Sequence, residues 1–182
     1  MGLRGLSRAV RPLIGERVVV RRFATGDAGA LQRYRDDPAT ALLQGWDVPY
    51  TVAQAEAFVA WAMLAPLGAP GAWCQLAIER RDRPGLVGDV GVRTATDPSA
   101  TVELGITLTP GARGQGLATG AVDLVLAHLA HAHGVSRAVA WLHVDNQASA
   151  ALFERLGFTL RATEVAADGT HEHRYERELH PG

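Results

Sequence analysis

The sequence predicts one α/β domain built around a mixed β-sheet, and three observations support this prediction. Short segments, the first of them rich in Val, alternate apolar and polar residues with period two, as strands do. Other segments repeat apolar residues at helical spacing between Gly and Pro residues. The elements follow each other without an internal repeat, a low-complexity segment or a linker. We therefore expect a sheet of about six to seven strands flanked by about four helices.

The first half of the chain predicts four strands and two helices, at residues 17–23, 28–36, 51–65, 73–79, 85–93 and 101–108. Asp27 is a candidate N-cap for the first helix and Pro38 its stop, while Thr51 is placed to cap the second. Residues 1–16 lack clear periodicity, so we predict an N-terminal extension there and a single folded domain over residues 17–182.

The second half alternates more regularly, and its elements are predicted at residues 114–133, 138–144, 146–156, 158–163 and 171–178. The first and third of these are helices. Gly134 suits the left-handed residue that closes the first helix, and Gly157 has the same place after the second. Asp168 and Gly169 predict the turn between the last two strands.

Composition excludes several classes of protein. The 182 residues carry a formal net charge of −1, which gives no overall basic excess for nucleic acid. The single Cys74 allows neither an intrachain disulfide nor a cysteine zinc site, and the histidine spacing fits no zinc motif, so we expect no metal. No apolar stretch is long enough for a secretory signal or a membrane span. We expect a cytoplasmic protein without a nucleic-acid or membrane partner.

A glycine-rich loop between a predicted strand and a predicted helix is the clearest functional signal, with the sequence Arg113-Gly114-Gln115-Gly116-Leu117-Ala118. The first turn of a helix leaves N–H groups without intrahelical partners, and together with the helix dipole these groups favour an anion. Arg113 would add a mobile positive charge suited to a phosphate. The chain has no lysine for a Walker A loop, and Thr119 stands where a dinucleotide loop needs its third glycine. A turn that needs glycine only for its geometry is the alternative.

Residues 103–158 resemble the core of the GCN5-related N-acetyltransferase (GNAT) superfamily, and most closely its branch that acetylates the N-termini of ribosomal proteins. The resemblance is carried by Glu103-Leu104-Gly105-Ile106, by the glycine-rich loop, by Asn146-Gln147-Ala148-Ser149 and by Leu156-Gly157-Phe158. It implies a single GNAT domain that uses acetyl-CoA as co-substrate and needs no metal. The acceptor it implies is a primary amine, on a protein N-terminus or a small molecule, acetylated by direct attack in a ternary complex.

The resemblance also implies roles for individual residues. Backbone groups of Leu104 and Ile106 would hydrogen-bond the pantetheine arm, and Asn146 would contact it from the opposite wall. The amides of Gly114, Gln115, Gly116, Leu117 and Ala118 would hold the pyrophosphate, beside Arg113. A neutral amine is required for attack, so a base is useful, and Glu103 is the first candidate with His143 the second. Many members carry a tyrosine acid where this chain has Phe153, and Ser149 is the substitute, or else a helix cap.

Several alternatives remain open from the sequence. The missing tyrosine also fits a non-catalytic protein that binds acyl-CoA as a sensor. A relative using succinyl-CoA or a longer acyl-CoA would need a basic residue near the thioester. The acceptor is undetermined, and Trp46, Tyr50, Trp61 and Trp73 belong either to its site or to the core. The resemblance allows a homodimer, which no feature of the sequence decides.

Overall fold

Eight strands form one mixed sheet in the computed structural model, which describes residues 11–44, 46–97 and 99–179. The strands are β1 (Leu13–Ile14), β2 (Val18–Arg21), β3 (Trp73–Arg80), β4 (Leu86–Thr94), β5 (Thr101–Leu108), β6 (Arg137–His143), β7 (Thr159–Val165) and β8 (His171–Glu178). They lie side by side in the order β1-β2-β3-β4-β5-β6-β8-β7. Every neighbouring pair is antiparallel except β5 and β6, which are parallel.

Five α-helices accompany the sheet: α1 (Ala28–Arg35), α2 (Pro38–Leu42), α3 (Val52–Leu64), α4 (Leu117–His133) and α5 (Gln147–Arg155). The helices α4 and α5 cover one face of the sheet, where the larger cluster of buried side chains lies. Its members are drawn from β2 at Val18 through to Leu179, after β8. The helices α1 and α3 cover the other face over β2, β3 and β4, around Leu31, Tyr34 and Val59. No described helix is long and apolar enough to cross a membrane.

The predicted fold class is confirmed, with one strand and one helix more than expected. Ile14 and Leu13 pair with β2, so part of the predicted N-terminal extension joins the sheet edge; a two-residue strand is too short to show periodicity. Pro38 starts a helix and does not merely end one. Asp37 precedes it as N-cap and accepts a hydrogen bond from the Thr40 N–H, while proline fits the first helical position.

The predicted ends of α3, α4 and α5 are confirmed. Asp27 precedes α1 but makes no side-chain cap hydrogen bond to it, because its carboxylate accepts from Arg21 and from the Ala24 N–H. Thr51 and Gln54 form a reciprocal capping box at the start of α3. Gly134 follows α4 in the left-handed conformation, with φ of 66°. Gly157 has φ of 80° after α5, and the next residue, Phe158, donates its N–H back to the Phe153 carbonyl. The two rings stack edge to face at 5.0 Å, which closes the end of α5 over the core.

A buried polar cluster fixes α1 to the sheet. The Asp89 carboxylate of β4 accepts hydrogen bonds from the Tyr34 hydroxyl at 2.9 Å and from the Arg35 guanidinium at 3.3 Å. Burial raises the pKa of the Asp89 carboxyl, and Arg35 and Tyr34 partly offset that rise. Because an unpaired charge at this depth is costly, the three groups must remain together. The cluster thereby sets the position of α1 and of the α2 helix that follows it.

Candidate functional site

The parallel strands β5 and β6 separate partway along their length. They pair from Thr101 and Arg137 as far as Leu104 and Ala140. Beyond this point β5 continues to Leu108 and β6 to His143 without pairing between these described segments. The separation leaves a gap in the middle of the sheet, with unpaired backbone on its β5 side.

A cleft of about 550 Å³ lies at this gap. Its walls come from four parts of the chain: α2, the end of β5, the glycine-rich loop with the first turn of α4, and one side of α5. The residues that line it include Thr40, Gln44, Ile106, Arg113, Gly114, Gly116, Leu117, Ala118, Thr119, Asn146, Ser149 and Arg155. The volume is in the range of small-molecule and cofactor sites.

The glycine-rich loop presents unpaired N–H groups to the cleft. Gly114 and Gly116 have φ of 72° and 76°, a conformation that glycine adopts without strain. Gly116 is the N-cap of α4, so its N–H and those of the next three residues, Leu117 to Thr119, have no partner within the helix. All four residues line the cleft, and a Cβ built on either glycine meets no atom within 4 Å. This open cradle fits a pyrophosphate.

Two hydrogen bonds show which way the β5 backbone faces. The Gln44 side-chain amide donates to the Ile106 carbonyl at 3.4 Å, and Arg113 Nε donates to the Leu108 carbonyl at 3.1 Å. These carbonyls therefore point away from β4. Because the N–H and C=O of one strand residue point to the same side, the Ile106 N–H also faces the gap. Leu104 pairs with Ala140, is buried and does not line the cleft.

The side chains of Arg113 and Gln115 are held within the protein. Besides the Leu108 carbonyl, the Arg113 guanidinium donates to the Thr40 hydroxyl at 2.8 Å. Gln115 donates to the Gly111 carbonyl at 2.7 Å, accepts from Arg80, and does not line the cleft. The expectation of a mobile charge at Arg113 is therefore corrected. The guanidinium lines the cleft but ties the loop to α2.

Asn146 and Ser149 lie together on the α5 side of the cleft. Asn146 is buried and is the N-cap of α5, and its side-chain carbonyl accepts the Ser149 N–H at 3.1 Å. The cap is thus supplied by Asn146 and not by Ser149. The Asn146 amide N–H₂ and the Ser149 hydroxyl make no hydrogen bond within the described residues, and both residues line the cleft.

A second, small cavity of about 40 Å³ adjoins the cleft where the strands separate. Its lining combines polar and apolar groups and consists of Leu43, Gln44, Gly105, Ile106, Trp141, Leu142, Asn146, Ser149 and Phe153. None of these residues carries a positive charge. Ile106, Asn146 and Ser149 line both cavities, so the small one continues the cleft past the Ile106 backbone.

A family model described as an acetyltransferase (GNAT) domain matches residues 17–159. The chain belongs to this GNAT acetyltransferase family. The match covers most of the chain, so the family predicted from the second half of the sequence is confirmed for both halves. No curated protein matches the chain significantly.

Solved structures show the same GNAT fold at low sequence identity. The RimL ribosomal L7/L12 α-N-protein acetyltransferase in complex with coenzyme A gives a TM-score of 0.80 at 19% identity, covering 94% of this chain and 100% of that one. The enzyme from Salmonella typhimurium that modifies the N-terminal serine of L7/L12 gives a TM-score of 0.77 at 21% identity, covering 93% of this chain and 100% of that one. Spermidine N-acetyltransferase from Vibrio cholerae, in complex with CoA and spermine, gives a TM-score of 0.74 at 14% identity, covering 90% of this chain and 96% of that one. These structures show that the GNAT fold extends over nearly the whole chain.

Two of the three predicted catalytic residues of this GNAT chain lie outside the cleft. Glu103 faces Arg93 on β4, and their side chains form an ion pair. His143, at the end of β6, accepts the Asp145 N–H through Nδ1 at 3.1 Å. Neither lines either cavity, whereas Ser149 lines both. Glu103 and His143 do share one face of the sheet with Gly105 and Trp141, since side chains alternate along paired strands.

The sequence did not predict that residues of α2 and of the turn after it line the GNAT cleft, above all Thr40, Leu43 and Gln44. Their signal was the Asp37-Pro38 pair, which predicts a helix start as well as a stop. The four aromatic residues left open by the sequence line neither cavity. Trp46 and Tyr50 pack around the Arg35 guanidinium, at 4.5 and 5.5 Å from its centre.

Proposed function

We propose that this chain transfers an acetyl group from acetyl-CoA directly to a primary amine in a ternary complex. The observation that carries the proposal is the gap between β5 and β6, which runs continuously into the open cradle at the start of α4. An extended ligand with a phosphate at one end fits this shape. Support comes from RimL, whose structure contains coenzyme A, and from the spermidine enzyme, whose structure contains CoA and spermine.

The cradle residues would hold the cofactor in two places. The amides of Gly114 to Thr119 would bind the pyrophosphate, in a site that the helix dipole favours. The Ile106 backbone would bind the pantetheine arm from one side and the Asn146 amide from the other. Gln44 donates to the Ile106 carbonyl, so this side chain would give way to an amide of the arm. Leu104 pairs with Ala140 and does not line the cleft, so this proposal gives it no contact with the pantetheine arm.

The chemistry at the small cavity follows from the groups that border it. A thioester carbonyl is electrophilic by itself, so the chain need not supply a nucleophile. The Ile106 N–H faces the gap and would stabilise the oxygen that gains charge during attack. The Ser149 hydroxyl borders the same space and would donate to the departing sulfur. Ser149 would thus take the part of the tyrosine hydroxyl that Phe153 lacks.

The base would act from the face of the sheet that carries Gly105. Glu103 lies two residues before Gly105 and His143 two residues after Trp141, so both border the approach to the small cavity from this face. A Cβ built on Gly105 meets no atom within 4 Å, which leaves room for an amine there. We propose Glu103 as the base, acting through a water because its carboxylate is turned towards Arg93.

The small cavity favours an acetyl group over larger acyl groups. Its volume of about 40 Å³ is small beside the 550 Å³ of the cleft, which favours a short acyl group. A succinyl group is longer and ends in a carboxylate, and no cation among the lining residues would pair with it. Acetyl-CoA is therefore the donor that the cavity fits.

A turnover assay over a panel of amines tests this function. The panel includes peptides with a free N-terminus, polyamines, amino acids and aminoglycosides, each with acetyl-CoA. We expect thiol release that matches the amount of acetylated amine for at least one class. Tight CoA binding without thiol release for any amine would instead show a non-catalytic sensor.

A further inference from the structure

Arg155 is the last residue of α5 and lines the large cleft but not the small cavity. It belongs to the side of α5 that lines the cleft, together with Ala148, Ser149 and Leu152. These residues recur at the three- and four-residue spacing of one helix face. Six residues separate Ser149 from Arg155, which corresponds to about 9 Å along the helix axis. Arg155 therefore marks the outer end of a wall whose inner end borders the reacting groups.

The Arg155 guanidinium differs from the other arginines near the cleft. Arg113 is held by the Leu108 carbonyl and Thr40, and Arg80 is held by Asp82 and Gln115. Across residues 11–44, 46–97 and 99–179, no hydrogen bond or ion pair joins Arg155 to another residue. Arg113 and Arg155 are the two arginines that line the cleft, and Arg155 is the one whose guanidinium makes no hydrogen bond within the described residues.

We propose that Arg155 binds the 3′-phosphate of the adenosine portion of the cofactor. This inference rests on the proposed function, which places the pyrophosphate at the loop and the thioester at the small cavity. The rest of the cofactor must then continue along the cleft beyond the start of α4, and the α5 wall of the same cleft ends at Arg155. A phosphate monoester carries about −1.5 to −2 charges at pH 7, and a guanidinium binds it through two parallel hydrogen bonds.

The proposal makes Arg155 a specificity residue for the donor. CoA and 3′-dephospho-CoA share the pyrophosphate and the pantetheine arm, so the loop and Ile106 cannot distinguish them. Arg155 would distinguish them, because only CoA presents a second, separate phosphate group. A charge-assisted hydrogen bond of this kind is expected to favour CoA by about tenfold.

Isothermal titration calorimetry with both ligands tests the proposal. For the unchanged chain we expect CoA to bind about tenfold more tightly than 3′-dephospho-CoA. In Arg155→Gln the two affinities should become equal, through weaker CoA binding alone. Arg155→Lys should keep part of the preference. Arg161→Gln removes an exposed arginine of β7 outside the cleft and should leave both affinities unchanged.

Two results would overturn the role of Arg155: equal binding of both ligands by the unchanged chain, or an equal effect of Arg155→Gln on both. A failure of the proposed cofactor site looks different, because then neither ligand binds the unchanged chain. A failure of catalysis alone leaves both affinities as expected and appears only in the turnover assay. A carboxylate placed in the glycine-rich loop separates the two further. It should weaken both ligands whether or not Arg155 contacts the 3′-phosphate.

Discussion

Replacing Gly116 by Asp should weaken CoA binding strongly while the chain still folds. Gly116 is the N-cap of α4 and lines the cleft with φ of 76°. Asp and Asn are the residues besides glycine that tolerate this conformation, at a cost of about 1 kcal/mol. A Cβ there meets no atom within 4 Å, so neither side chain clashes. Gly116→Asn is therefore a control that matches the variant in size and backbone cost, but not in charge.

The charge effect can be calculated. Two like charges about 5 Å apart repel by about 3 kcal/mol at an effective dielectric constant of about 20. This energy corresponds to a loss of about a hundredfold in affinity. We expect CoA to bind Gly116→Asp about a hundredfold more weakly than Gly116→Asn at low salt, and the difference should shrink at high salt. Calorimetric titration measures both constants, and thermal unfolding confirms that both variants fold. Equal affinities for the two variants would show that the pyrophosphate does not bind at this loop.

Four further changes test other parts of the account. Ser149→Ala should lower kcat by about 10- to 100-fold with CoA affinity unchanged, because it removes the donor to the departing sulfur; an unchanged kcat would exclude that role. Glu103→Gln should lower kcat by about a hundredfold and remove the acid limb of the pH–rate profile, whereas a retained limb would exclude Glu103 as base. Leu43→Ala should raise the propionyl-to-acetyl ratio of kcat/KM by about tenfold, because the substitution enlarges the small cavity. An unchanged ratio would place the acyl group elsewhere. Burial, helped by two neighbouring histidines, lowers the pKa of His128 in the folded chain. As the pH falls, His128 is therefore protonated in the unfolded chain before it is protonated in the folded chain. Stability should then decline as pH falls through about 6.5, and less so in His128→Gln, as thermal unfolding across pH would show.

The fold was predictable because its signals are local. Period-two alternation placed β3 to β8 within a few residues, and glycine at the helix ends placed the close of α4 and α5. The two missed elements have weak local signals. The edge strand Leu13–Ile14 is defined by its partner β2 and not by its own pattern. Pro38 was ambiguous because proline ends one helix and begins another equally well.

The candidate site was predictable only where one segment defines it. The glycine-rich loop needs no distant residue to present its amides, so its place in the cleft followed from the sequence. The direction of the Glu103 carboxylate depends on Arg93 of the neighbouring strand, and the confinement of Arg113 depends on Thr40, far away in sequence. Such pairings arise from the tertiary structure, and no periodicity reveals them.

The most direct test of the account follows acetyl transfer itself. The chain is incubated with acetyl-CoA and a peptide bearing a free N-terminus, or a polyamine, while thiol release and the mass of the acceptor are measured together. The account predicts equal amounts of free thiol and singly acetylated amine, both lost in Gly116→Asp and retained to a large degree in Gly116→Asn. Thiol release that continues at full rate in Gly116→Asp, or CoA binding without acetylation of any amine, would contradict it.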